Sequence, residues 1–458
     1  MSIHVTRAGL DTQQDQSPQG WLAPLQLTWG AKGPAGLAER LRTVTARFGP
    51  TPERMVRRLR AYADFGMATG VAPTWPITAV VLARHPEAVR PFVDAGVEFA
   101  IHGLYHNDYA LMPGTLQLRD ITLAQSTFQR AGIPTVGFRA PYLRANDATA
   151  DAVAAAGLTY VSNQAIMFGA LKVDLTPSQQ RAHERALQLY DAHDGAEVAS
   201  RPQHKDGLIH IPVTIPDDEI MVDRLGLTAL EQAEVWIAML ETIHEQGDLL
   251  TVQLHPERWP DCASAAAGVV SRAAELPGGV WTARLDEIAH WWLARAACRL
   301  TVERLDEAHV QVSLEGDPRA ALLVRSGGDG ETSESSRRLT IPSRRLPVIG
   351  VEPAAPARLV AMLKDEGYPV VVGAPAEDCV VHLDHSAGDL PDLAIRRRLA
   401  AATGPLVRIA PWPQGHRSAL ALSGDIDALT FQDFVFRIGE NAQQSHSRNS
   451  GSLERGRT

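Results

Sequence analysis

The chain is expected to fold as an α/β protein whose main body is a barrel or layered sheet, followed by smaller appended units. Three observations carry that expectation. Helical and strand patterns alternate between Pro50 and Trp292, the reactive side chains of that stretch fall just after strand ends, and beyond Leu300 short β runs give way to a compact α/β pattern. In α/β barrels catalytic groups occupy the loops after the strands, so the second observation supports the first. With 458 residues the chain exceeds one typical core, and two to three domains are expected.

The elements follow in order. Met55 to Phe65 is predicted as a helix, with Thr51 as its cap and Glu53 in the first turn, where the helix dipole favours an acid. Pro76 to Ala83 reads as a strand passing into a helix. Val89 to Ala95 reads as a helix ended by Gly96, and Val97 to Ile101 as a strand, which sets His102 at a strand end. A helix from Thr115 to Gly132 leads to a strand over Val136 to Phe138, with Arg139 on the next loop. Ala148 to Gly157 is a helix and Tyr160 to Asn163 a strand end, after which Leu208 to Val213 and Leu249 to Leu254 are strands.

Beyond Leu300, Leu300 to Leu314 and Ala320 to Val324 read as short strands before a Gly- and Ser-rich loop, Ser326 to Ser336, making a small β module. Pro347 to Val351, Ala357 to Glu366, Pro369 to Gly373, Cys379 to Leu383, Leu393 to Ala402 and Leu406 to Ile409 form a small α/β unit. The strand Ser418 to Ser423 closes the ordered region, and no fixed-period repeat occurs.

A formal net charge of -9 argues against a general nucleic acid binder, which needs clustered Lys and Arg. Cys262, Cys298 and Cys379 match neither a disulfide framework nor a thiolate zinc site, and are read as reduced core thiols. No apolar run suits a signal peptide or a membrane span, so no transmembrane segment and a cytoplasmic location are expected. Residues from Gln443 to Thr458 are Ser, Arg and Gly rich and read as a mobile tail.

Several groups carry chemistry. His102 and His106 are four apart, a spacing that sets two imidazoles on one face of a helical turn and suits a divalent metal, though histidines so spaced are more often surface or core residues. Asp425 and Asp427 alternate on a strand and point the same way, unless Asp427 caps a helix. Arg139 fits a structural ion pair, Tyr142 simple packing, and His255 a strand-end histidine bonded to a loop carbonyl. His204 and His210 are read as structural.

Together these elements resemble the polysaccharide deacetylase family, also called the NodB homology or carbohydrate esterase 4 family. Trp412-Pro-Gln-Gly415 before Ala419-Leu-Ala-Leu-Ser-Gly-Asp-Ile-Asp427 is similar to the family's opening strand with its two aspartates. His102 and His106 match the His-x-x-x-His motif, and Arg139, Pro141 and Tyr142 the Arg-x-Pro-Tyr motif. Gln253-Leu254-His255 approximates the late Leu-x-His motif with one residue fewer, and Thr282 to Trp292 is similar to the last strand and helix. Tyr160, Ser162 and Asn163 only loosely suggest the remaining motif.

The order departs from the family, because the aspartate strand comes last. The resemblance therefore implies a distorted (β/α) barrel of NodB type completed by a C-terminal strand, circularly permuted. The implied divisions are a barrel over 1–298, a small β module over 299–345, a small α/β module over 346–410, the permuted first strand and helix over 411–438, and the tail over 439–458. Residues 299–410 are either a spacer returning the chain to the barrel or a glycan- or partner-binding module.

The resemblance further implies one divalent metal ion, zinc, on Asp427, His102 and His106. Asp425 would be the base, oriented by Arg139, and His255 the acid; the Tyr142 backbone N–H would hold the oxyanion. Tyr142, Pro141, Tyr105, Asp218 and Trp259 would line the substrate groove, Asp218 meeting sugar hydroxyls and Trp259 either stacking on a sugar or packing beneath the site. The implied reaction is removal of an N-acetyl group from a sugar or glycan. Hydrolysis of a small amide, formamide or imide is the nearby alternative, and a non-catalytic carbohydrate-binding or scaffold protein the distant one.

Overall fold

The computed structural model describes residues 44–171, 174–326, 330–334 and 336–437. The first twenty residues, the segment Leu25 to Gly30 and the tail from Gln443 lie outside the described residues.

The main body is a 12-stranded sheet. Its strands are β1 (Thr74–Ile77), β2 (Glu98–Ile101), β3 (Gly137–Phe138), β4 (Tyr160–Val161), β5 (Ala165–Met167), β6 (His193–Asp194), β7 (Gln203–Lys205), β8 (Leu208–His210), β9 (Val213–Ile215), β10 (Leu249–Gln253), β11 (Val280–Thr282) and, after nine strands of other sheets, β21 (Ser418–Ser423). The last strand lies between β10 and β1 and is parallel to both: Leu249 to Gln253 pair with Ala419 to Ser423, and Thr74 pairs with Ser423. At its start it also pairs with β11.

From there β2, β3, β4 and β8 follow on one side and β9 and β5 on the other. Only short breaks separate β4 from β5 and β8 from β9, so each pair is one bent run. Since β4 pairs with β8, and β5 with β9, the sheet curls into a half-barrel at these bends. The strand expected over Leu208 to Val213 is therefore two strands. Pro212, without an N–H to donate, stands at the break.

Residues Ser418 to Ser423 are all buried, which explains a near-continuous apolar run. Alternation splits it between two layers: Leu420 and Leu422 pack in one core cluster, Ala419 and Ala421 in another. Helices cover the sheet, and two expectations about them change. The helix Glu53–Thr69 starts from Pro52 rather than from a Thr51 cap. Val89 to Ala95 is replaced by two short helices, Pro86–Val89 and Pro91–Asp94, because Pro91 lacks the N–H a continuous helix would need.

The appended part holds three small sheets. Strands β12 (Arg299–Arg304), β13 (His309–Glu315) and β16 (Arg338–Pro342) are antiparallel; β14 (Leu322–Arg325) pairs with β15 (Thr332–Glu334) and β20 (Leu406–Ile409); β17 (Leu346–Val351) lies between β18 (Val370–Val372) and β19 (Cys379–Leu383). The β14 to β20 pairing crosses the 345/346 boundary expected between two modules. This part is anchored under the main sheet. The Trp291 indole donates to the Pro411 carbonyl at 2.7 Å, Arg295 Nε to Ala410 at 2.9 Å, and the Trp412 indole to Gly247 at 3.0 Å. These bonds fix where the chain re-enters the sheet as β21. Among the described residues no helix is long and apolar enough to cross a membrane.

Candidate metal centre

Parallel strands bring their C-terminal ends to one side, and four of them deliver the reactive groups there. β2 ends one residue before His102, β3 one before Arg139, β10 two before His255, and β21 two before Asp425. Past β21 the backbone stays extended, with Ile426 bridged to Ile77 and its N–H donating to the Pro76 carbonyl at 2.7 Å. Ile426 is fully buried, while Asp425 and Asp427 share the opposite side. Gly424 is required by close packing: a Cβ there would sit 2.4 Å from the Leu254 carbonyl oxygen.

The two histidines do not share the expected helical turn. Residues 102–106 form a loop in which Gly103 has φ +81, and a Cβ at Gly103 would fall 2.6 Å from the Tyr105 carbonyl oxygen. Asp120 braces this loop by accepting from the Leu104 N–H at 2.8 Å and from the Tyr109 hydroxyl. The loop folds His106 back toward the strand end.

Ligand atoms of His102, His106 and Asp427 all lie within 4.8 Å of one another. Nε2 of His102 is 3.5 Å and Nε2 of His106 3.3 Å from Asp427 Oδ1. Donors bound at ~2 Å around a tetrahedral ion stand roughly 3.3 Å apart, so the set fits a divalent cation with positions left open. The polar bookkeeping agrees. His102 Nδ1 is 2.8 Å from the Arg139 carbonyl, which must accept, so Nε2 carries the lone pair. Asp427 Oδ1 is buried without a hydrogen-bond partner among the described residues.

The other Asp427 oxygen is held by Arg437. Burial alone would raise this carboxyl, but His106 and Arg437 beside it hold it well below the ordinary range. Burial, and then Arg437, push His106 down to about 4 despite the attraction of Asp427, which keeps the imidazole neutral and able to bind an ion.

Asp425 stands across from these ligands, its Oδ2 3.8 Å from His102 Nε2. Arg139 donates to Asp425 Oδ1 at 2.9 Å, and Gln253 to Oδ2 at 3.0 Å. Arg139 is fully buried, and its remaining donors reach the Ser423 hydroxyl, the Ser162 hydroxyl and the Ser162 carbonyl. Asn163 accepts from the Ala140 N–H at 2.7 Å and steadies the loop after Arg139. From sequence, Gln253 and Ser162 stand only within quoted motifs and Ser423 only as a strand end, none with a role at the site. Strand alternation was the available signal, since Gln253 and Ser423 each stand two residues before a residue with one.

His255 approaches through a separate relay. Its Nδ1 is 2.7 Å from Asp218 Oδ1, and its backbone N–H donates to Asp218 Oδ2 at 2.6 Å. Arg258 in turn binds Asp223 and lies 3.9 Å from Asp218. Burial would lower the imidazole pKa, but the Asp218 carboxylate outweighs it and holds His255 well above its ordinary value.

Residues 67–161 match the family model for polysaccharide deacetylase. That segment is similar to the polysaccharide deacetylase family. The match supports a hydrolase acting on amide bonds. Among solved structures, one from Mycobacterium smegmatis assigned to the polysaccharide deacetylases is 23% identical, covering 62% of this chain and 91% of that chain, with a TM-score of 0.42. Another from Pseudomonas aeruginosa PAO1, similarly assigned, is 21% identical, covering 52% and 72%, with a TM-score of 0.38. The Puue allantoinase is 18% identical over the same shares, with a TM-score of 0.39. No curated protein matches the chain by sequence.

Of the residues expected in the groove, Asp218 lies elsewhere and Trp259 takes the packing alternative. Asp218 is fully buried with both oxygens on His255, so it positions that imidazole and does not meet sugar hydroxyls. Trp259 stacks on Tyr62 at 4.3 Å between ring centres and packs beneath the site. Tyr142 stands edge-on to His106 at 4.5 Å, in a strained left-handed backbone conformation with φ 60. Pro141 is buried beside it, and Tyr105 is half-buried in the histidine loop. His204 is exposed on β7 and His210 half-buried on β8, both in strands away from the cluster.

Proposed function

We propose that the chain removes an N-acetyl group from a sugar or glycan using one divalent ion, zinc, held by Asp427, His102 and His106. The observation that supports this best is convergence: Asp425 and Asp427 approach the same His102 Nε2, at 3.8 and 3.5 Å, from a strand end more than three hundred residues away in sequence. A bound ion would polarise the amide carbonyl and lower the pKa of water. Asp425 takes the proton of the attacking water, with Arg139 and Gln253 fixing both carboxylate oxygens. The Tyr142 backbone N–H donates to the oxyanion. His255, held protonated by Asp218, donates to the departing amine so that no amide anion has to leave.

We further infer a circular permutation of the family's strand order, with β21 in the place of the first strand; its pairing with β10 and β1 supports this. In this reading 1–298 and 411–438 make the deacetylase unit, and the modules 299–345 and 346–410 return the chain beneath it.

The test is metal analysis of the full chain with assay of free amine from N-acetylated sugar oligomers. One equivalent of zinc and amine release are expected, and Asp425→Asn should lower turnover by roughly 10²–10⁴-fold with zinc retained. A chain that holds no metal, with Asp425→Asn leaving activity unchanged, would sink the proposal.

A further inference from the structure

At the opposite ends of the strands lies an open cavity of about 1070 Å³, walled by the main sheet and the appended part. Gly247, just before β10, and Arg417, just before β21, belong to its rim, so it is separated from the metal centre by the length of the strands. Its volume is in the range that takes small ligands. Six arginines and two histidines line it against four glutamates, in a chain whose formal net charge is -9.

The carboxylates are heavily engaged. Glu366 accepts from Arg201, Arg396 and Arg408, while Glu331 binds Arg408 and Glu241 binds Arg272. Two arginines are left over. Arg417 spends its guanidinium on the His244 and Glu245 carbonyls, at 2.9 and 3.0 Å, and has no carboxylate partner among the described residues. Arg325 is 6% exposed, donates only to the Leu399 carbonyl, and keeps Nε buried without a partner among the described residues. Arg201 Nε is also buried without a partner among the described residues. Arg201 still pairs with Glu366 and Asp248, Arg325 feels Glu331 without bonding to it, and Arg417 is exposed. A buried N–H without an acceptor is costly, and multivalent anions match a guanidinium's donor fork two bonds at a time.

We propose that this cavity binds a small multivalent anion bearing phosphate or carboxylate groups. Arg417 on the main sheet and Arg325 on the appended part grip it from two walls, so the bound anion also ties the two parts together. Binding is independent of the metal centre.

The test is calorimetric titration of the full chain with inorganic pyrophosphate and, separately, tricarballylate. One saturable equivalent is expected, weakening as salt rises, and weakened about tenfold or more by Arg417→Gln. Arg325→Lys, which keeps the charge and loses the fork, is the second variant and should also weaken binding. Tighter pyrophosphate binding would name phosphate groups, and tighter tricarballylate binding carboxylates. Because pyrophosphate also binds metals, the titration is repeated in His102→Ala, where affinity should be unchanged; loss of binding there would put the anion at the metal centre and overturn the proposal. It is equally overturned if neither anion saturates, or if both arginine variants bind as the parent does.

Discussion

The two ends of the main sheet hold buried charge of opposite character. At the strand C-termini, acceptors converge: His102 Nε2, His106 Nε2 and Asp427 Oδ1 face one small space, and Asp427 Oδ1 has no donor among the described residues. At the strand N-termini, donors converge: Arg201, Arg396 and Arg408 crowd on Glu366, with Arg325 and Arg417 in surplus. A lone-pair surplus calls for a cation and an N–H surplus for an anion. Mostly apolar residues fill the middle of the strands, with Thr251 of β10 a buried polar exception, and separate the two, so each end can be perturbed without the other.

The largest expected effect breaks the cation end alone. Asp427→Asn should abolish zinc retention and lower turnover by roughly a thousandfold or more, while the melting temperature of the metal-free chain stays near the parent's. Next comes the opposite end. Glu366→Gln removes the carboxylate shared by three buried arginines and should cost about 3–5 kcal/mol in denaturant unfolding with zinc binding retained.

The same carboxylate has a pH signature. Burial would raise it, but Arg201, Arg396 and Arg408 hold Glu366 down to about 2. A depressed acid stabilises above its ordinary value near 4.5 and loses that contribution as pH falls through about 2. Parent unfolding should therefore show an acid-dependent loss over that window that Glu366→Gln lacks.

A smaller change sharpens the cation end. Asp218→Asn removes the carboxylate that raises His255, so the alkaline limb of turnover should move to lower pH, because the acid loses its proton earlier. A limb that stays in place would remove His255 from proton donation. The smallest effect is the control: Thr228→Ala, at the capping box of the helix Ala229–Gln246, should cost about 1 kcal/mol and disturb neither zinc nor anion binding.

Local pattern made some parts legible and not others. Ser418 to Ser423 is readable as a strand because burial on both faces leaves an unbroken apolar run, and Gly132 marks a helix end because its left-handed conformation suits glycine. Asp218 looks like a groove residue from the likeness of its loop to the family's, and Trp259 from following His255, yet burial turns one toward His255 and the other toward Tyr62. The histidine spacing looks helical, while Gly103 makes it a loop. Gln253, Ser162 and Ser423 are common polar residues that become specific only through what stands across from them.

The sequence by itself determined residue types, strand ends and the likeness of its scattered motifs to one family, since these depend on neighbours a few positions apart. Only the tertiary structure decided that Asp425 meets Arg139 across 286 positions and that Asp427 faces His102. The physical reason is parallel pairing: β21 lies between β10 and β1 through backbone bonds any strand can make, and which strands it joins is set by the packing and closure of the whole sheet.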